Sequence, residues 1–240
     1  MSESFLSRQI SLIGEEANAR LAGMSIMVFG VGGVGGYVVE ALTRAGIGRL
    51  ILVDHDTVSV SNRNRQIIAL CSTLGEKKTV AFAERIRDIN PKCRVEERSV
   101  FVTPENIDQL IDGVSPDWIV DAIDYVPGKI AIALAAAQRG IPMIASMGTG
   151  NKLAPERLRV GDLGQTSVCP LARAMRREMK KRGVSHMRVL WSDETPSRSP
   201  DADPRVPASI SFVPSSAGLL IASYLIRAEL AGERGKYTVS

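Results

Sequence analysis

Ser25-Ile-Met-Val-Phe-Gly-Val-Gly-Gly-Val-Gly-Gly36 is the stretch on which the fold turns. An apolar strand runs into Gly30, Gly32, Gly33 and Gly35, and Tyr37-Val-Val-Glu-Ala-Leu-Thr-Arg44 then reads as a helix. Glycines let the backbone turn tightly and approach a ligand closely. The free N–H groups at a helix start attract anions, so the stretch predicts a phosphate cradle. A second strand, Leu50-Ile-Leu-Val53, ends on Asp54, at the spacing where an acid meets ribose hydroxyls. Taken alone the motif points to a nicotinamide or flavin cofactor. The rest of the chain points elsewhere.

Working outward, residues 25–29, 49–53, 94–100, 118–121 and 141–145 read as strands. Residues 33–45, 76–89, 104–111 and 128–139 read as the helices between them, and 15–22 as a short helix leading in. Apolar strands alternating with helices predict an α/β, Rossmann-like, doubly wound and mostly parallel sheet with helices on both faces. Its ligand edge would gather Gly30, Asp54, Asp124 and Ser146. Further on, 169–182 reads as a basic helix, 187–191 as a strand, 192–207 as a long flexible loop rich in Pro, Ser and Asp, 209–213 as a strand and 215–228 as a closing helix. No internal repeat is visible. The expectation is one domain over residues 1–240: a nucleotide-binding core over 24–150, and a lobe over 151–240 that extends the sheet.

Composition bounds the rest. The 240 residues are 45% hydrophobic and 23% charged, enough for one good core. The most apolar segment, 217–226, falls short of the roughly 18–20 residues of a membrane helix. The start, Met1-Ser-Glu-Ser-Phe-Leu6, lacks a secretory pattern, so a cytoplasmic protein without a transmembrane span is expected. The three cysteines, Cys71, Cys93 and Cys169, form no Cys-x-x-Cys pair, which excludes a tetra-cysteine zinc site. With His55 and His186 the only histidines, little room is left for histidine-based chemistry.

Several features surround the glycine loop. Asn62, Arg65 and Gln66 follow the second strand and would lie over the phosphates, and Lys78 opens the next helix with a cation. Asp121-Ala-Ile-Asp124 ends the fourth strand, and Arg8 precedes the first. Hydride transfer needs no such ring of cations and carboxylate, whereas attack at a phosphate of ATP does. Arg and Lys neutralise charge on a phosphoryl group as the transition state develops, and Asp124 would hold a magnesium ion. No Gly-x-x-x-x-Gly-Lys-Ser/Thr occurs, so this is not a P-loop enzyme.

On these residues the chain resembles the ThiF/MoeB-type, ubiquitin-activating superfamily of ATP-dependent adenylating enzymes. The resemblance rests on Gly30-x-Gly-Gly-x-Gly35, Asp54-x-Asp56, Asn62-Arg-Asn-Arg-Gln66, Lys78, Ile89-Asn-Pro91 and Asp121-Ala-Ile-Asp124. Within that superfamily it most resembles the tRNA threonylcarbamoyladenosine dehydratases, through Thr43-Arg-Ala-Gly-Ile-Gly48, Asn64-Arg-Gln-Ile67, Ser146-Met-Gly-Thr-Gly-Asn-Lys152 and Gln165-Thr-Ser-Val-Cys-Pro-Leu-Ala172. Missing zinc cysteines fit that branch. The chain departs from the usual pattern at Ile68, where members carry His, and at Gln9, where Thr is common.

The resemblance implies a mechanism. A carboxylate of threonylcarbamoyladenosine in tRNA attacks the α-phosphate of ATP, pyrophosphate leaves, and the ureido part of the same side chain closes a ring as AMP departs. It assigns Gly30, Gly32, Gly33, Gly35, Asp54, Asp56, Asn62 and Gln66 to ATP, with Arg65 and Lys78 neutralising phosphate charge and Asp124 taking Mg2+. It also implies a homodimer in which Arg8 reaches the partner subunit's ATP, and a sulfur-transfer partner of the cysteine desulfurase system.

Some readings stay open. Asp121 and Asp124 could cap the following helix, with Asp121 structural; Arg63 and Lys77 read as surface. Cys169 stands at a helix start where a thiol pKa can be lowered, but a small packed residue is the favoured account of it, and Cys71 and Cys93 read as packing residues. Arg173, Arg176, Arg177, Lys180 and Lys181 form one basic helix face, either merely solvated or binding tRNA phosphates. The competing functions are an adenylyltransferase for a ubiquitin-like sulfur carrier and a nucleotide-binding module without catalysis.

Overall fold

The computed structural model describes residues 4–201, 203 and 206–233. Its sheet contains β1 (Ser25–Phe29), β2 (Arg49–Val53), β3 (Arg94–Arg98), β4 (Trp118–Asp121), β5 (Met143–Ser146), β6 (Leu158–Asp162) and β7 (Arg188–Ser192). The strand order is β3-β2-β1-β4-β5-β7-β6, parallel throughout except for the antiparallel β6–β7 pair. β1, β4 and β5 are buried at every residue, which is why they read as continuous apolar runs.

Side chains of a strand alternate between the faces of its sheet, and that alternation splits the core in two. Ile26 and Val28 of β1 point into one layer, Met27 and Phe29 into the other. The first layer is covered by α3 (Gly35–Arg44), α4 (Lys78–Ile89) and α8 (Phe212–Leu230), through Val38, Phe82 and Ile221 among others. The second is covered by α5 (Ile107–Ile111), α6 (Val126–Arg139) and α7 (Pro170–Lys181), through Ile111, Ile132 and Met175. α1 (Ser7–Ile13) and α2 (Glu15–Ala22) precede β1. α8 lies so close to α3 that a Cβ on Gly218 would stand 2.4 Å from the Val34 carbonyl oxygen. Among the described residues no helix is long and apolar enough to cross a membrane.

Strand order reverses between β1 and β4, and ligands of such sheets bind where it reverses, beyond the strands' carboxyl ends. The register aligns that edge. Phe29 pairs with Val53 on one side and with Asp121 on the other. Gly30, Asp54 and Ala122 therefore emerge from the sheet side by side.

The C-terminal segment departs from expectation. Residues 209–213 form no strand; Phe212 already begins α8, and the free edge of β7 is taken by β6, which the sequence reading missed. α1 was also missed; it buries no residue. β3 stops at Arg98, α5 starts only at Ile107, and β5 starts at Met143, after a proline that lacks the N–H a ladder needs. Of the loop anticipated over 192–207, residues 202, 204 and 205 lie outside the described residues, and Ser192 is the last residue of β7.

Candidate active site

Gly30 occupies the left-handed region, at φ +82°, and a Cβ there would meet the Ala122 carbonyl at 2.9 Å. Both facts require glycine, and together they hold the end of β1 against the end of β4. A cavity of about 300 Å3 opens there. Its wall includes Gly30, Gly32 and Gly33, with Asp54, Asp56, Asn62, Arg65, Gln66, Lys78 and Asp124. Of the residues anticipated for ATP, Gly35 alone is absent from the wall; a Cβ on it would lie 1.8 Å from the Gly30 carbonyl oxygen, so it serves the packing of α3 on the loop. Asp54 accepts hydrogen bonds from the backbone N–H of Val31 at 2.8 Å and of Asp56 at 2.9 Å. Its carboxylate thus shapes the glycine loop, and each oxygen keeps a further lone pair free to accept.

The cations come from the other side. Lys78 is the first residue of α4 and only 4% exposed, and its Nζ donates to Asp56 Oδ2 at 2.7 Å. Partial burial works to raise the Asp56 pKa, but the Lys78 hydrogen bond and charge, with His55, hold that carboxyl below its usual range. Arg65 lies against Gly33, whose added Cβ would be 3.4 Å from Arg65 Cγ, and its Nη1 donates to the Ser61 carbonyl and to Asn64 Oδ1, both at 2.9 Å. Asn62 Oδ1 closes the short 3-10 turn of 60–62 by accepting from the Ser59 N–H. Gln66 packs beside Gly32, and its Oε1 is buried without a hydrogen-bond partner among the described residues. Asn64 Nδ2 donates to the Ser209 carbonyl at 3.0 Å, tying this segment to the approach to α8.

The third side is the end of β4. Asp124 is exposed on the wall, while Asp121 is fully buried and pairs with Lys129 at 2.9 Å. Burial raises the Asp121 pKa against the pull of Lys129. Lys129 Nζ also donates to the carbonyl oxygens of Ile123 at 3.1 Å and Ser146 at 2.9 Å, so one buried ammonium binds the ends of β4 and β5. The sequence reading missed it, although a lone lysine in the apolar helix Gly128-Lys-Ile-Ala-Ile-Ala-Leu134 was a visible signal.

Also missed was an aromatic wall. Phe101 meets His55 edge to face at 4.7 Å between centroids and tilts against Tyr125 at 5.1 Å. All three line the cavity, and Phe101 is 42% exposed. Such a surface suits a planar base. Phe101→Ala is expected to raise the KM for ATP about 5- to 100-fold, the range lost when a base loses an aromatic partner, with kcat little changed; steady-state kinetics at varied ATP measures it.

Other anticipated residues lie apart. Arg8 is exposed on α1 and does not line the cavity of its own chain. On α7, Arg173, Arg177, Lys180 and Lys181 are exposed, but Arg176 turns in to donate to the Thr166 carbonyl at 2.8 Å. Glu178 is held down to about 2 by its hydrogen bonds with Arg182, Lys181 and Arg177, which damps the positive field of that face. Arg63 and Lys77 are exposed as anticipated. Cys93 and Cys169 are buried, and burial pushes the Cys93 thiol up to about 11. Cys71 is exposed, contrary to its reading as a packing residue, because it sits in the irregular segment ahead of α4.

A glycine cradle faced by lysine, arginine and an exposed carboxylate defines a nucleotide-binding enzyme of the phosphate-attacking kind rather than a hydride-transfer one. The model of the ThiF family matches residues 6–236, and the chain belongs to that family. The tRNA threonylcarbamoyladenosine dehydratase of Bacillus subtilis (strain 168) is 37% identical over 235 residues, covering 92% of this chain and 92% of that protein. The crystal structure of the E. coli tRNA N6-threonylcarbamoyladenosine dehydratase, TcdA, in complex with ATP matches with a TM-score of 0.87 at 33% identity, covering 96% of this chain and 95% of that one. The sulfur carrier protein adenylyltransferase of Thermus thermophilus is 36% identical over 132 residues, 55% of this chain and 48% of that protein.

Proposed function

We propose that this chain is an ATP-dependent tRNA threonylcarbamoyladenosine dehydratase acting in the cytoplasm. The observation that carries the reading is the convergence of Arg65, Lys78 and Asp124 on the Gly30–Gly33 cradle, in a chain alike over nearly its whole length to relatives of that name. The sulfur-carrier reading is weaker, since its likeness spans about half of each chain.

Adenine lies against Phe101, and the ribose hydroxyls meet the lone pairs of Asp54. The triphosphate lies along the glycine loop, where Lys78 exchanges Asp56 for a phosphate oxygen and Arg65 faces the same charge. Gln66 and Asn62 support them. A carboxylate oxygen of the threonylcarbamoyl group attacks the α-phosphorus, the bond to the bridging oxygen breaks, and pyrophosphate leaves. The ureido group then attacks the activated carbonyl, and AMP departs with the former carboxylate oxygen. Loss of that oxygen and of two protons is the loss of one water. Carboxylate oxygen is a poor leaving group and AMP a good one, and the closure is intramolecular.

Asp124 fits a magnesium site of the usual kind, in which one or two carboxylates and substrate phosphates surround the ion. It is the exposed carboxylate at the β4 end of the cavity. Such an ion would offset phosphate charge. Arg8 reaches the ATP of the second subunit in a homodimer, in keeping with its distance from its own cavity. Arg173, Arg177, Lys180 and Lys181 hold tRNA phosphates, with Arg176 bracing their helix. A protein of the cysteine desulfurase system is a candidate partner.

The test is nucleoside mass spectrometry of tRNA carrying threonylcarbamoyladenosine after incubation with protein and ATP. A product lighter by one water is expected. An unchanged nucleoside, or ATP–pyrophosphate exchange that depends on a carrier ending in Gly-Gly, refutes the reading.

A further inference from the structure

A second cavity of about 610 Å3 adjoins the first, within the usual range for a small-molecule site. The two share Arg65, Asp124 and Thr149 on their walls, so they meet where the α-phosphate would be attacked. The second is well built. Asn151, at φ +60°, accepts the Ala208 N–H on Oδ1 at 2.9 Å, accepts the Ser197 N–H on its carbonyl, and donates its own N–H to Ala208, pinning the outer wall. Met147 and Leu171 supply apolar lining, and Arg65 and Arg198 add cations.

One residue in it lacks a partner of opposite charge among the described residues. Lys152 is 4% exposed, and its Nζ donates to the Glu194 carbonyl oxygen at 2.6 Å. The Glu194 carboxylate is already used by the Leu153 and Ala154 N–H groups, both at 2.9 Å. Lys152 thus forms no ion pair among the described residues, and two of its three N–H bonds have no partner there. Burial pushes its pKa below the usual lysine value, with nearby Cys169 and Glu194 pulling the other way. A buried ammonium without an anion is costly, and an arriving carboxylate relieves that cost.

We infer that this second cavity is the acceptor subsite, and that Lys152 receives the carboxylate-bearing arm of the modified nucleoside while the base rests on Met147 and Leu171. The inference rests on the dehydratase reading. Charge selects an anionic group, and the volume and apolar lining admit a planar one beside it. A carrier tail of two glycines has no side chain to fill the space.

Affinities of tRNA with and without the threonylcarbamoyl group, measured by filter binding without ATP, test it. The natural protein is expected to prefer the modified tRNA by about 10- to 100-fold, the usual yield of a charged hydrogen bond. Lys152→Met should erase that preference while leaving ATP affinity within about twofold, and Lys152→Arg should restore part of it. Leu171→Trp, which narrows the cavity without touching its charge, should also erase it. A preference unchanged in both Lys152→Met and Leu171→Trp overturns the inference, as does equal loss of affinity for both tRNAs. Failure of the natural protein to remove water from modified tRNA is a separate result and counts against the dehydratase reading itself.

Discussion

Lys78→Ala is expected to lower turnover by at least 10²–10³-fold, the effect of removing one preorganised donor from a developing oxyanion, while the protein remains folded. Lys78 Nζ is fixed within the cavity by Asp56 and moves no backbone to reach a phosphate. On the proposed reading, its contribution grows as negative charge builds on the oxygens of the attacked phosphoryl group, so the loss should fall mainly on kcat. Its partner Asp56 is half-exposed, and an ion pair with such a member contributes only about 0–1 kcal/mol to stability. Lys78→Met preserves the packing of the buried stem and should be equally inactive. Asp124→Ala removes the carboxylate assigned to magnesium and should likewise abolish product. Single-turnover AMP formation and a thermal melt read both properties on one preparation. Product formation by both Lys78→Ala and Asp124→Ala would mean that the site is misassigned.

Lys129→Met should have the largest effect on stability, about 3–5 kcal/mol, because it strands a buried carboxylate without its counter-ion. Asp121 and Lys129 are both fully buried and 2.9 Å apart, and Lys129 also holds two strand-end carbonyls. The pH dependence has a definite sign. Asp121 already has a raised pKa in the folded protein, and loss of Lys129 raises it further. A carboxyl whose folded pKa exceeds its unfolded value makes the folded state bind the proton more tightly, so stability falls as pH rises between the two values. The deficit should be smallest at acid pH, below about pH 4, where Asp121 is protonated in both states, and should grow as pH rises toward the raised folded-state value. Asp121→Asn combined with Lys129→Met removes the stranded charge and should regain much of the loss. Urea unfolding at several pH values checks each part, and a neutral cost under about 1 kcal/mol would show the pair to be dispensable.

The legible parts of the fold share a physical cause. β1, β2 and β4 lie between two helical layers, so burial on both faces demanded unbroken apolar runs, and their ends were read to the residue. β6 had no such demand. Leu158-Arg-Val-Gly-Asp162 is an edge strand with only Leu158 and Gly161 buried, and its pairing partner is about 30 residues away. Ile210-Ser-Phe-Val213 misled in the opposite sense. Its alternation and β-branched residues favour a strand, yet tertiary packing of α8 on α3 overrides that weak local preference.

The site divides along similar lines. Gly30, Asp54, Lys78 and Asp124 came together because each sits at or near the carboxyl end of a parallel strand or the start of a helix, where topology fixes position, whereas Asn62, Arg65 and Gln66 stand in the irregular segment between β2 and α4 and were legible through their motif. Phe101 and Tyr125 lie beside loops with no periodicity to announce them, and Lys152 could not be told from a solvated lysine without knowing its burial. Arg176 showed the converse: helical spacing placed it on the basic face, but a contact with Thr166, ten residues earlier, turned it inward.

The Lys78–Asp56 pair has a consequence for which anions the site retains between turnovers. Asp56 holds the Lys78 ammonium at 2.7 Å, so an anion entering the cradle finds it already paired. Orthophosphate, sulfate or departing pyrophosphate must each compete with a carboxylate already in contact. A nucleotide meets the same competitor but adds contacts at its sugar and base. On the proposed site, Asp56 therefore competes with every small anion for Lys78 and would weaken each by a similar, modest factor.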